Sequence, residues 1–341
     1  MLNKFVSFII VISVFAKGKF KLLFGKIYII SKAFDFMSWK IFFSFVFFII
    51  AVSLLVIYWF FPFGTIEFYK APSSENFNFT LNSSEDAKMQ FYDNMRYPEK
   101  KISYNIGGCP LQKEYDMKQA FEIISNLTVM EFYPVETGGE ILVACEDTNR
   151  VENGLFVAGE GGPVNITKTS NFNVILNGEI LLIRDSKCER PNVEIHELFH
   201  ALGFDHSQNP QSVMYNLTKC SQEIGSDLIE RVDYLYSFPE YPDLAVENAS
   251  ALMHGKYLDA NVTIRNEGLK DSEKGKLIVY ADDVNVKEYE ISEIKIGYGT
   301  EIFLGNLWVP QTGVNELRFF LEYPHPELEK NNNEIKLEIK K

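Results

Sequence analysis

Three of the five histidines in this 341-residue chain, His196, His200 and His206, fall within eleven residues of one another. His196 and His200 are four apart, so on a helix both imidazoles leave one face and one cation can sit between them. Glu197, next to the first histidine, then lies beside that cation without joining its ligands, placed to take a proton from water there. Gly203 tolerates positive φ, which lets the chain turn back sharply after the helix and carry His206 to the same point. Three neutral imidazoles and one open position make the donor set of a catalytic zinc; a structural zinc would be closed by a fourth protein ligand. The HExxH pattern alone arises by chance in roughly one chain of this size in a hundred, and the added glycine and third histidine lower that by about three orders of magnitude. His254 and His325 stand alone and read as surface residues.

The elements that must position these groups follow from the flanking sequence. HExxHxxGxxH followed by a methionine, here in Ser212-Val213-Met214-Tyr215, resembles the metzincin metalloproteases. Within them the chain is most similar to the matrixins, since Ser207 follows the third histidine directly and Tyr215 follows Met214. The resemblance implies that Met214 forms an apolar floor beneath the zinc and that Tyr215 and Asn216 form the wall of a specificity pocket. Matrixins usually have proline where this chain has Asn216. It also implies an α+β fold: a twisted mixed sheet of about five strands with three helices. Many matrixins carry a second, structural zinc on histidines, and this chain lacks those histidines.

The net charge of −13 is unevenly spread. Residues 1–63 hold seven lysines (Lys4, Lys17, Lys19, Lys21, Lys26, Lys32 and Lys40) against one acid, Asp35, so the acidic excess lies wholly in the remainder. A basic head on an acidic body argues against nucleic acid and for a membrane between the two. Ile41–Phe63 supplies 23 residues without a charge, long enough to cross a bilayer as a helix. The lysines precede it, which puts residues 1–40 in the cytoplasm and everything after Phe63 outside. Tyr58, Trp59, Phe60 and Phe61 make an interfacial aromatic belt and no small-x-small site follows; the segment reads as an uncleaved signal anchor, with cleavage as the alternative. Phe5–Ala16 is a second apolar run, short for a span; it is interfacial, or a span extended past Lys17, or lies upstream of a start at Met37. Sequons at Asn78, Asn82, Asn126, Asn165, Asn216, Asn248 and Asn261 all follow the apolar segment, as do the four cysteines, whose even number suits two disulfides outside the cell.

Beyond the anchor, residues 64–99 are polar and irregular and read as a stalk; residues 100–238 read as the catalytic domain. Ile102–Ile106 alternates as a strand, Glu114–Leu127 has helical spacing, and Met130–Val135 and Glu140–Cys145 read as two further strands. In the matrixin fold the first and third strands are parallel neighbours, which implies the pairs Cys109–Cys145 and Cys188–Cys220. No propeptide latch is present; Cys109, in Gly107-Gly108-Cys109-Pro110, comes nearest and reads better as a disulfide cysteine. Asn173–Leu176 and Glu179–Ile183 flank Asn177-Gly178, a dipeptide suited to a hairpin turn. An open edge for extended substrate is expected within Val164–Leu176, with Gly159–Pro163 as the loop before it. Asn192 is a candidate cap of the histidine helix, and Ser226–Tyr236 a closing amphipathic helix capped by Ser226. From Tyr241 to Lys341 short alternating segments (Leu258–Arg265, Gly275–Tyr280, Glu288–Ile296, Glu301–Leu307 and Asn315–Leu321) indicate an all-β sandwich of about seven strands. It resembles a CARDB-type immunoglobulin-like module, from Pro242-Asp243-Leu244 through Asn266-Glu267-Gly268 to Glu329–Glu334.

The expected function is that of a membrane-anchored zinc endopeptidase acting on extracytoplasmic proteins or peptides, with Glu197 as general base. Calcium is compatible with so acidic an ectodomain, although no EF-type loop is present. The C-terminal module reads as a spacer, or else as a contact to a surface protein or polymer. The competing reading is a cell-surface adhesion or scaffold protein with a structural or vestigial zinc site, in which Glu197 would have no use.

Overall fold

The computed structural model describes residues 39–60, 65–70, 89–148, 150–152, 155–185, 188–311 and 313–339. The chain divides after Gly64 into two bodies. In the first, helix α1 (Trp39–Phe60) has Lys40 in its first turn, with no acid in that turn and no base in the last to complement its dipole. Among the described residues α1 is the one helix long and apolar enough to cross a membrane. The expectations on Phe5–Ala16, on the lysines before Lys40, on Phe61–Phe63 and on the sequons at Asn78 and Asn82 fall outside the described residues.

In the second body, β1 (Thr65–Lys70) precedes an N-terminal half built of β2 (Met95–Arg96), β3 (Lys101–Gly107), α2 (Leu111–Leu127), β4 (Glu131–Pro134), β5 (Ile141–Cys145), β6 (Val151–Glu152), β7 (Leu155–Phe156), β8 (Gly159–Lys168), β9 (Asn173–Leu182), α3 (Asn192–Ala201) and α4 (Ser226–Leu235). Strands β2, β9, β5, β3 and β4 follow one another in the sheet, β8 pairs with β9, and β6 and β7 form a separate ribbon. The pairs β3–β4, β3–β5 and β5–β9 are parallel, whereas β8 runs antiparallel to β9 and has no second strand partner among the described residues. Alternation in β5, where Ile141 and Val143 are buried and Leu142 is exposed, seats one face of the sheet on α2 and α3. Stacking of Tyr104 on Phe121, with centroids 3.9 Å apart, fixes α2 against β3. Because β3 and β5 are adjacent and parallel, Cys109 and Cys145 emerge together and are bonded, and Cys188–Cys220 forms the second bridge.

Four local expectations are corrected. Asn177-Gly178 makes no hairpin: β9 runs unbroken through it, and the glycine is needed because a Cβ there would meet Ala201 O at 3.2 Å. Gly159–Pro163 is the first half of β8 and no loop. Pro191 stands at the cap position of α3, and the Asn192 side chain instead donates to the Lys219 carbonyl, 2.8 Å away, tying the helix to the chain beyond the methionine. Gly225 occupies the cap position of α4, with no side-chain cap from Ser226.

The C-terminal half comprises β10 (Leu244–His254), β11 (Tyr257–Asn266), β12 (Gly275–Ala281), β13 (Val284–Ile291), β14 (Gly299–Trp308), β15 (Glu316–Glu322) and β16 (Glu334–Ile339). The seven expected strands are there, but they do not form two separate sheets. The order is β13-β12-β15-β16-β1-β10-β11-β14, a continuous antiparallel sheet around one core, because β1 is inserted between β16 and β10. The stalk expectation for residues 64–99 therefore fails at both ends: Thr65–Lys70 is a sheet strand and Met95–Arg96 pairs with β9.

The two halves meet at the turn between β8 and β9. Glu267 accepts the Ser170 N–H at 2.5 Å and pairs with Arg265 at 2.9 Å, and Arg265 also donates to the Gly297 carbonyl. Phe172 and Val174 of the N-terminal half pack with Leu269 and Ile296 in one apolar cluster.

Candidate metal centre

Every residue of α3 is buried, so the histidine helix is itself part of the core. It ends at Gly203, whose φ of +93° turns the chain back; a Cβ there would in addition come within 2.8 Å of Met95. The returning strand is held by the segment just before β2. Phe91 N–H donates to Gly203 O at 3.0 Å, Asp205 N–H donates to Met89 O at 2.9 Å, and the Phe91 ring stacks on His200 with centroids 5.6 Å apart. These contacts bring His206 back over α3, where His196, His200 and His206 converge with their ligand atoms all within 4.8 Å.

The rings are oriented by the backbone. His196 Nδ1 lies 2.7 Å from Val213 O and His200 Nδ1 lies 2.7 Å from Phe204 O. A carbonyl only accepts, so each Nδ1 carries the proton and each Nε2 presents a lone pair. Those lone pairs face one another: His200 Nε2 is 2.9 Å from His196 Nε2 and 3.2 Å from His206 Nε2. The two acceptors of His196 and His200, 2.9 Å apart, repel unless a cation stands between them, and His206 Nε2 is in place to be its third ligand. Tetrahedral ligation at about 2.0–2.1 Å sets ligand nitrogens roughly 3.3 Å apart, so the donor set fits zinc. Burial, with the neighbouring imidazole second, lowers His196 to about 4, and burial lowers His200, which keeps both rings neutral and able to ligate.

Glu197 faces β8. Burial, then the nearby Glu160 and Glu194 carboxylates, raise it to about 8, opposed by the Gly161 N–H that donates to it. An adjacent divalent cation acts in the opposite direction. The approach is so close that a Cβ at Gly159 would lie 2.7 Å from Glu197 Cγ, and one at Gly161 no farther than 3.0 Å from the Glu197 backbone O, C and Cα. Arg150 holds Glu160 through both carboxylate oxygens, at 3.1 and 3.0 Å, so the start of β8 is fixed from the other side as well.

Met214 is fully buried, and its carbonyl accepts the Ser207 N–H at 2.7 Å, which joins the methionine turn to the residue after His206. A pocket beside the histidines is lined by Met89, Asp205, His206, Ser207, Ser212 and Met214, together with Asp227 and Leu228 of α4. Tyr215 and Asn216, half-buried and exposed, do not line it.

Comparison with known proteins matches the chain to two families. The matrixin family model matches residues 77–237, and the CARDB family model matches residues 241–336. The chain carries a matrixin domain followed by a CARDB domain. The macrophage metalloelastase of Oryctolagus cuniculus is 24% identical over 176 residues, which is 45% of this chain and 36% of that protein. The chain thus spans little more than a third of that relative's length. The matrixin match begins well before residue 100, in keeping with the contacts that Met89 and Phe91 make to the histidine helix. Sequence reasoning missed those two residues and the glycines at 159 and 161. The Gly-rich run was a visible signal, but only the fold shows which side chain it clears.

Proposed function

We propose that the chain is a membrane-anchored zinc endopeptidase that cleaves extended segments of extracytoplasmic proteins. The single observation that carries this reading is the convergence of three imidazole nitrogens, two of them with lone pairs oriented by backbone carbonyls, beside a buried glutamate. His196, His200 and His206 hold the zinc. When bound, it supplies a Lewis acid that polarises the scissile carbonyl and acidifies water. Glu197 takes the proton from that water and later delivers it to the leaving amine, its burial favouring the protonated form and the adjacent cation the charged one. The open side of β8 pairs with substrate as an added strand, next to Glu197. Met214 floors the site, and the pocket rimmed by Asp205 and Asp227 receives a substrate side chain.

The domain division follows: residues 1–40 cytoplasmic, an anchor over 41–63, a catalytic domain taking in residues from 89 to 238, and an immunoglobulin-like C-terminal domain from 241. The helical character of α1 and its freedom from charge after Lys40 support the anchor. Glu197→Gln tests the chemistry. Zinc content should stay near one per chain while peptide cleavage falls by at least about a hundredfold. Equal cleavage by variant and wild type, or a wild-type chain that retains no zinc after purification in its presence, would overturn the reading; the second result would favour a scaffold.

A further inference from the structure

Strand β1 lies before the catalytic domain in sequence but inside the C-terminal sheet in space. The chain leaves Lys70, builds the whole catalytic half, and returns at Leu244 to the sheet it left. Thr65–Phe68 pairs with His254–Ala251 of β10, and Phe68–Lys70 pairs with Ile339–Leu337 of β16. Phe68 is 4% exposed within the C-terminal core and Ile66 packs against that core. Without β1 the order would break into β13-β12-β15-β16 on one side and β10-β11-β14 on the other, leaving β16 and β10 with unpaired edges toward one another. An interior strand paired on both sides is among the slowest parts of a sheet to open, since every ladder bond and the buried ring must be given up together.

We propose that β1 is a clasp: the seam between β10 and β16 is a strand-accepting site whose occupant is Thr65–Lys70, and it holds the catalytic body to the N-terminal segment without need of the peptide chain between them. A cut between β1 and β2 then leaves the enzyme attached. Processing in that connection does not shed it, whereas a cut before Thr65 does. The link to shedding rests on the membrane-anchor reading; the clasp itself does not.

The test uses the full chain in detergent, with an affinity tag at its N-terminus and a site-specific protease sequence inserted between Ser74 and Glu75. After complete cleavage the tag should capture nearly all of the C-terminal product. In Phe68→Asp, which buries a charge in the seam, and in Glu67→Pro, which breaks the ladder, the cut product should pass into the unbound fraction. Release of the cut wild-type product overturns the clasp, and so does capture of both cut variants at the wild-type level. The same uncut chain assayed with membranes separates the two readings: failure to sediment with them counts against the anchor and leaves the clasp standing.

Discussion

The closest approach in the site is between β8 and the backbone of Glu197, and Gly161→Ala puts it under load. A Cβ at position 161 would lie no farther than 3.0 Å from three backbone atoms of Glu197, where ordinary contact begins about half an ångström further out for carbon and no flexible side chain is available to yield. Helix α3 is buried along its whole length and tied by Asn192 to the chain beyond the methionine, so β8 must move, by roughly 1 Å. That motion carries away the N–H that Gly161 donates to the carboxylate and shifts the edge on which substrate pairs. Displacement of about 1 Å between a reacting group and its partner costs on the order of a hundredfold in rate, about 2.7 kcal/mol at the transition state. The assay is kcat/KM on a fluorogenic peptide alongside zinc per chain, with Gly162→Ala as comparison because a Cβ there meets nothing within 4 Å. The expected result is a fall of about a hundredfold for Gly161→Ala with zinc retained, and less than about threefold for Gly162→Ala. Equal, small effects for the two would refute the claim that β8 positions Glu197.

Other consequences are open to measurement. Glu267→Ala removes the acceptor of the Ser170 N–H and the partner of Arg265 at the turn feeding β8, so KM should rise about three- to tenfold with kcat little changed; an unaltered KM would show that the C-terminal half does not steady the edge strand. Replacing Cys188 and Cys220 together by serine opens a loop with a sequence separation of 32, which should lower stability by about 3–4 kcal/mol, read as the denaturation midpoint with and without reductant. Asp243 is raised to about 7, by burial first, against the hydrogen bond from Asn332. Its folded pKa lies above the unfolded one, so its contribution is fully present below about pH 4 and is lost as pH rises toward 7. Between pH 5 and pH 8 the wild type should lose up to about 2–3 kcal/mol more than Asp243→Asn; parallel pH profiles would contradict that assignment.

What the sequence made legible was what is decided locally. The pair His196 and His200 is a statement about helical repeat, Gly203 a statement about positive φ, and the apolar, β-prone run Glu140–Cys145 a statement about a strand; each needs only a few neighbouring residues to be read. The methionine turn and the disulfide partners became readable through likeness to a family, since the adjacency of β3 and β5 that joins Cys109 to Cys145 is a property of the sheet and not of the loops between. The misreadings have the opposite character. Asn177-Gly178 has the chemistry of a turn, yet its glycine answers to Tyr97 and Ala201, which approach from 80 residues before and more than 20 residues after in the chain. Thr65–Lys70 is too short and too polar to declare itself, and its place is set by the edges of β10 and β16, nearly two hundred residues away and more. The same holds within the site. His196 and His200 are oriented by the Val213 and Phe204 carbonyls, and any residue type supplies a carbonyl, so no choice of side chain at 204 or 213 could have advertised the role. On the proposed chemistry, substitutions at His196, His200, His206 or Glu197 should act on the reaction itself and those at Phe91, Gly161 or Glu267 through the backbone that aims it, and KM, kcat and zinc content measured together separate the two groups.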